Sequence, residues 1–251
     1  MKTQHLILTI ISLLFSIAFH TSASAQYSIN TTKVDSNIYL YTSYGDAGNY
    51  KNVDANAVVV VSGDEAMLFD TPWDSVQAEQ LITWITDSLH KKIILSVITH
   101  AHADRIGSIS TMHRHGIPTY SHHLTAQEAA KRDYPRPQHI FYNDDTAFRC
   151  GNIEVVAYYP GAGHTIDNIV LYIPSKKFLY GGCFIKSGFS TDIGNIEDAD
   201  MAAWPLSLAK MKNRFKKTGI NMIIPGHGSW QSDKAIENTR RLLTETKESN
   251  Y

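Results

Sequence analysis

Cysteine is scarce in this chain, with Cys150 and Cys183 the only two among 251 residues. That excludes a small scaffold stapled by several disulfides and leaves one conceivable bridge. A Cys150–Cys183 bridge is disfavoured, because Cys183 stands among candidate metal ligands while Cys150 lies in the turn-like run Arg149-Cys150-Gly151-Asn152. Charge of one sign is missing too. Lys and Arg total 23 against 24 Asp and Glu, for a net charge of −1. With no basic stripe, neither nucleic acid nor an anionic membrane is favoured as a partner. No repeat or low-complexity segment stands out. The N-terminal apolar run, about Leu6 to Phe19, is broken by His20 and Thr21. It is shorter than the roughly 20 residues a bilayer span needs.

That run follows Met1-Lys2 and precedes Ala23-Ser24-Ala25. A positive start, a short apolar core and an Ala-x-Ala site read as a secretory signal peptide over residues 1–25. No cysteine lies near the cleavage site, which argues against a lipid anchor. The mature protein is expected to start near Gln26 and to reach a bacterial periplasm. Residues 26–251 are long enough for one large α/β domain, expected as a monomer.

What the chain does have is histidine at strand ends. Ile93 to Ile98 reads as a buried strand, and it breaks into Thr99-His100-Ala101-His102-Ala103-Asp104. Three ligands at every second position share one side of an extended chain, and imidazole with carboxylate suits zinc. Three further turns each deliver one ligand: Gly163-His164, Gly182-Cys183 and Gly226-His227-Gly228. Glycine beside each lets the backbone turn sharply. Six ligands suffice for two metals with three protein ligands each, leaving positions open for water and substrate, as in catalytic zinc sites. His113, His115, His122, His123 and His139 fall outside any strand-end motif and are read as ordinary histidines.

Coarse patterning supports mixed α/β structure. Strands are expected at Ile38 to Thr42, Ala57 to Val61, Ala66 to Phe69, Ile153 to Tyr159, Ile169 to Ile173, Phe178 to Tyr180 and Met222 to Ile224. Ala78, Leu81, Ile82, Ile85 and Leu89 repeat at helical spacing behind Asp74, a good N-cap. Thr125-Ala-Gln-Glu128 predicts a capping box opening another helix. Trp204, Leu208, Met211 and Phe215 mark a third, and a C-terminal helix is expected from near Asp233. Ser43 to Asp54, rich in Gly, Asn, Asp and Tyr, separates two strands and reads as a surface hairpin.

In order and spacing, His100-Ala-His102-Ala-Asp104-Arg105, His164, Cys183 and His227 resemble the class B metallo-β-lactamases, subclass B1 in particular. Glyoxalase II, RNase Z and the B3 enzymes carry a second histidine after the aspartate, where Arg105 stands here. The B2 enzymes have asparagine at the position of His100. The resemblance covers the chain from about Val34 to the C-terminal helix. One departure is Ser108, where the family has a second glycine after the arginine.

The resemblance implies a four-layer αβ/βα sandwich and two zinc ions per chain. One ion would take His100, His102 and His164, the other Asp104, Cys183 and His227. It also implies that Lys186, in Cys183-Phe-Ile-Lys186, binds the substrate carboxylate and that Asn195 polarises the lactam carbonyl. Asp104 would orient the nucleophile, Asp70 would support a metal-binding histidine, and Ser43 to Asp54 would form a flap over the substrate. The implied reaction is hydrolysis of the β-lactam amide of penicillins, cephalosporins and carbapenems by a zinc-activated hydroxide, conferring antibiotic resistance. No Ser-x-x-Lys motif offers a covalent route: Ser175-Lys176-Lys177 lacks the spacing. Another zinc hydrolase, a thioesterase or lactonase, stays open as the alternative. A redox protein holding iron is disfavoured by the thiolate of Cys183.

Overall fold

Val58, Val59, Val60 and Val61 are all buried, as a strand covered on both faces requires. They lie inside a seven-stranded sheet in a computed structural model that describes residues 27–249. The expected signal peptide, residues 1–25, lies outside the described residues. The first sheet runs in chain order: β1 (Asn30–Asp35), β2 (Ile38–Ala47), β3 (Tyr50–Ser62), β4 (Glu65–Phe69), β5 (Lys92–Ile98), β6 (Thr119–His122) and β7 (His139–Phe141). Strands β1 to β4 pair antiparallel, and β4 to β7 pair parallel. Parallel neighbours need a crossover. The links here are α1 (Ser75–Thr83), the pair α2 (Ala103–Ile106) and α3 (Ile109–Arg114), and α4 (His123–Lys131).

The second sheet has the order β12-β11-β10-β9-β8. Its strands are β8 (Asp145–Cys150), β9 (Ile153–Tyr158), β10 (Val170–Ile173), β11 (Phe178–Gly182) and β12 (Met222–Pro225). Helix α5 (Trp204–Arg214) crosses from β11 to the parallel β12, and α6 (Ala235–Ser249) follows. Val58, Val60 and Met67 of the first sheet share one core with Val155, Leu171 and Phe178 of the second. On the far side of the second sheet, Trp204, Leu208, Met211, Leu242 and Leu243 pack with Tyr172 and Leu179. A small third core under the histidine-bearing segment joins Ile98, Ala101, Ile106, Ile109 and Ala129. These are two mixed sheets face to face with helices outside, the α/β sandwich expected.

Local signals held where they were strong. Asp74 accepts the Gln77 N–H at 2.9 Å and starts α1, and Trp204, Leu208, Met211 and Phe215 are all buried. Two expectations need correction. Helix α4 begins at His123, not behind Thr125; the Thr125 hydroxyl instead donates to the Asp167 carbonyl at 3.3 Å. Tertiary pairing has taken the expected cap. The strands flanking the Ser43 to Asp54 hairpin run further than expected: β2 and β3 stay paired out to Ala47 opposite Tyr50. Asp46 holds that hairpin end by accepting from Tyr27, Lys51 and the Asn52 N–H. Ser108 separates α2 from α3, and its buried hydroxyl donates to the Pro72 carbonyl at 2.7 Å. Both cysteines are free, and burial pushes the Cys150 thiol up to about 11, which keeps it inert.

Candidate metal centre

Strand β5 ends at Ile98, and its continuation carries His100 and His102 as extended residues before Asp104 enters the first turn of α2. The turn after β9 brings in His164, the end of β11 brings Cys183, and the end of β12 brings His227. All six candidate ligands converge. Donor atoms of His100, His102 and His164 lie within 4.8 Å of one another, as do those of His100, Asp104 and Cys183. His164 Nε2 is 3.2 Å from His102 Nδ1. Cys183 Sγ lies 3.3 Å from Asp104 Oδ2 and 3.2 Å from His227 Nε2, and the latter two are 3.3 Å apart.

The close approach has a backbone cause at Gly226. A Cβ there would fall 2.6 Å from the Cys183 nitrogen and from the Gly182 carbonyl carbon. Only glycine lets β12 lie against the Cys183 turn.

Donor chemistry fits a metal. His100 Nε2 is buried with no hydrogen-bond partner among the described residues, an expensive arrangement for a polar atom unless a ligand takes its lone pair. Burial, the largest influence, holds His100 and His164 well below the ordinary imidazole range, so both rings stay neutral and ready to coordinate. Burial would push Asp104 up, but Arg105 and His227 outweigh it and hold the carboxyl well below its usual range. A set of three imidazoles beside a carboxylate, a thiolate and an imidazole suits zinc.

Behind the ligands, fully buried Arg105 spans the two sheets. Its guanidinium donates to the Asn56 carbonyl at 2.5 Å, the Tyr180 hydroxyl at 2.7 Å, the Gly226 carbonyl at 2.8 Å and Cys183 Sγ at 3.2 Å. It also pairs with Asp104 Oδ2 at 2.8 Å. His227 Nδ1 meets the carbonyl of Asp54 in β3, whose carboxylate accepts the Gly228 N–H at 2.6 Å. Asp70 departs from the expectation. It accepts from the Thr99 N–H and hydroxyl and from Tyr180, so it touches no ligating histidine and reaches His100 only through Thr99. Burial raises its pKa to about 6 against the pull of Arg105, Tyr180 and Thr99.

The carboxylate that does touch a ligand is Asp198, whose Oδ2 lies 2.8 Å from His102 Nε2. Sequence reading missed it, since no motif links two residues so far apart in the chain. Asn195 sits exposed in the same loop with its side-chain oxygen accepting the Glu197 N–H at 2.9 Å. Lys186 lies near the centre, nearly buried, with Nζ 5.5 Å from the Trp204 ring. No carboxylate among the described residues pairs with it. Of the set-aside histidines, His113 and His115 bond Thr119 and Glu79, His139 stacks on Tyr120, and His122 stacks on Tyr159.

Residues 51–239 match the model of the metallo-beta-lactamase superfamily. Among curated relatives, metallo-beta-lactamase type 2 of Bacteroides fragilis is 35% identical over 251 residues, covering 99% of this chain and 98% of its own. The type 2 enzyme of Bacillus cereus is 35% identical over 216 residues, covering 86% and 83%. A solved metallo-beta-lactamase from Pontibacter korlensis superposes with a TM-score of 0.81 at 34% identity, covering 86% of this chain and 99% of that one. With six candidate ligands in one cluster, Arg105 after the aspartate and a cysteine in the fifth position, the chain belongs to the metallo-β-lactamase superfamily, in its B1 branch.

Proposed function

We propose that this protein is a zinc-dependent β-lactamase that hydrolyses the amide bond of penicillins, cephalosporins and carbapenems and so confers antibiotic resistance. The observation that carries the reading is the pair of three-residue ligand sets meeting at His100. Two zinc ions per chain would be held, one by His100, His102 and His164, the other by Asp104, Cys183 and His227. When bound, such ions lower the pKa of water toward neutrality and polarise a carbonyl.

The chain's own residues do the rest. Asp104, fixed by Arg105 at 2.8 Å, offers carboxylate oxygen to orient the attacking water. The Asn195 amide N–H donates to the lactam carbonyl oxygen as negative charge builds there. Lys186, whose ammonium has no carboxylate partner among the described residues, takes the substrate carboxylate and fixes its orientation. Burial lowers the Lys186 pKa, opposed by Cys183 and Asp104. The hairpin bearing Tyr50, three-quarters exposed, supplies an apolar cover.

Residues 26–251 act as one exported, periplasmic, monomeric domain after removal of residues 1–25. No helix among the described residues is long and apolar enough to cross a membrane. The test is metal analysis together with carbapenem hydrolysis before and after chelation. About two zinc ions per chain, activity lost in chelator and regained with zinc are expected. Bound iron, or full activity in metal-free protein, overturns the reading.

A further inference from the structure

His102 is the most accessible of the three histidines in the first set, and what holds its outer face is a carboxylate on a loop without regular structure. Asp198 is 41% exposed at its side chain, and its Oδ2 is 2.8 Å from His102 Nε2. The same oxygen accepts from Arg132 Nη2 at 2.9 Å. Arg132 has a firm base. It is the C-cap of α4, its backbone N–H bonds the Ala129 and Glu128 carbonyls, and Glu128 Oε2 lies 3.9 Å from its Nη1. Helix α4 in turn places Ala129 in the small core with Ile98, Ala101 and Ile106, and Tyr134 just beyond the helix packs on that core. Arg132 therefore joins the support beneath the His100–Asp104 segment to the loop that lies over it. Two residues after Asp198, the Asp200 N–H bonds the Gly163 carbonyl beside His164.

We infer that Arg132 is a positioning residue for the first metal site: it holds the Asp198 carboxylate against His102 Nε2 and so fixes the orientation of the imidazole that ligates through Nδ1. This rests on the metal reading above. A carboxylate on the outer nitrogen sets the tautomer and ring angle of a ligating histidine, and losing such a partner costs about 10–100-fold in metal affinity. Taken alone, a pair as exposed as Arg132–Asp198 contributes little to stability. Its effect is expected on metal affinity at one site, with little effect on folding.

The experiment is zinc titration of metal-free wild type, Arg132→Met, Arg132→Lys, Asp198→Asn and the Arg132→Met/Asp198→Asn double variant against a chromophoric chelator. Cobalt substitution is run in parallel, since the thiolate-to-cobalt band reports the Cys183 site separately. Arg132→Met should weaken the histidine site about tenfold and leave the thiolate band and melting temperature of the metal-free protein near wild type. Arg132→Lys should recover part of the loss, and Arg132→Met should add nothing once Asp198 is Asn. Should Arg132→Met fail to fold, Arg132→Gln takes its place. Unchanged affinity, equal weakening of both sites, or losses that add in the double variant overturn the proposal alone. A wild-type protein that binds no zinc overturns the metal reading, and the proposal with it.

Discussion

The two halves of the metal centre are supported in opposite ways. Asp104, Cys183 and His227 rest on Arg105, a fully buried cation with contacts from both sheets. Among the described residues no cation hydrogen-bonds His100, His102 or His164; His102 leans on the part-exposed Asp198 and His100 on the Thr99 hydroxyl at 3.3 Å. The contrast follows from charge. A carboxylate and a thiolate brought together in the interior repel, and a guanidinium with rigid forked geometry offsets that repulsion. Three imidazoles bring no negative charge to offset and need only orientation. One half is tied into the stability of the fold, while the other is adjustable from the surface.

Arg105→Met breaks this contrast most severely. It strands the buried Asp104 charge and takes one of two donors from the Asn56 and Gly226 carbonyls, so a loss of about 3–5 kcal/mol is expected. Urea unfolding of the metal-free protein checks it, and Arg105→Lys should restore little because one ammonium cannot meet five partners. A wild-type midpoint would show that the two halves are supported alike.

Cys183→Ser tests the chemistry of the tied half. A neutral hydroxyl replaces the only soft ligand, so zinc affinity should fall much further at the Asp104–His227 site than at the histidine site. Cys150→Ser, buried 3.5 Å from the Val60 carbonyl, should leave activity nearly intact. Equal damage from both under non-reducing conditions would mean that the two thiols act together.

His122 provides an imidazole that ligates nothing. It is 2% exposed, and both ring nitrogens lack partners among the described residues. Burial, then His123, lowers its pKa to about 4 against the opposing pull of Asp144. In the unfolded chain the ring takes its proton near pH 6.5. Between these values the unfolded state binds more protons, so stability falls as pH drops from about 6.5 to 4 and levels off below. The full loss is about 3 kcal/mol. Melting curves at pH 7 and 4.5 should show a smaller difference in His122→Phe, which keeps the stack on Tyr159. An identical acid loss would assign it to the ligand histidines or carboxylates instead.

Lys186→Ala gives the smallest expected effect. A charge-assisted bond in a partly dry groove contributes about 1–3 kcal/mol, so kcat/KM for a penicillin and a carbapenem should fall roughly tenfold to a hundredfold with zinc content unchanged. Wild-type kinetics would remove Lys186 from the site.

The convergence of the strand-end candidate ligands was legible because each follows an apolar run, with a glycine turn beside His164, Cys183 and His227, a pattern local enough to read in one dimension. So were α1 and α5, whose buried stripes are strictly periodic. Asp198, Arg132 and the true partners of Asp70 were not. Their contacts join segments dozens of residues apart, and nothing in the neighbouring residues encodes the meeting. The start of α4 was misread for a related reason, since the Thr125 hydroxyl donates to the distant Asp167 carbonyl and caps no helix start. Short strands such as β6 and β7, at four and three residues, gave too little alternation to register.

Strand β3 has a mechanical consequence. Tyr50 begins it at the exposed tip of the hairpin, and Asp54, four residues on, holds both His227 Nδ1 and the Gly228 N–H. At about 3.3 Å per residue the two are some 13 Å apart along one paired segment. A guest pressing on the tip therefore pulls on the same backbone that sets the angle of His227, and the hairpin acts as a lever whose short arm ends on a metal ligand.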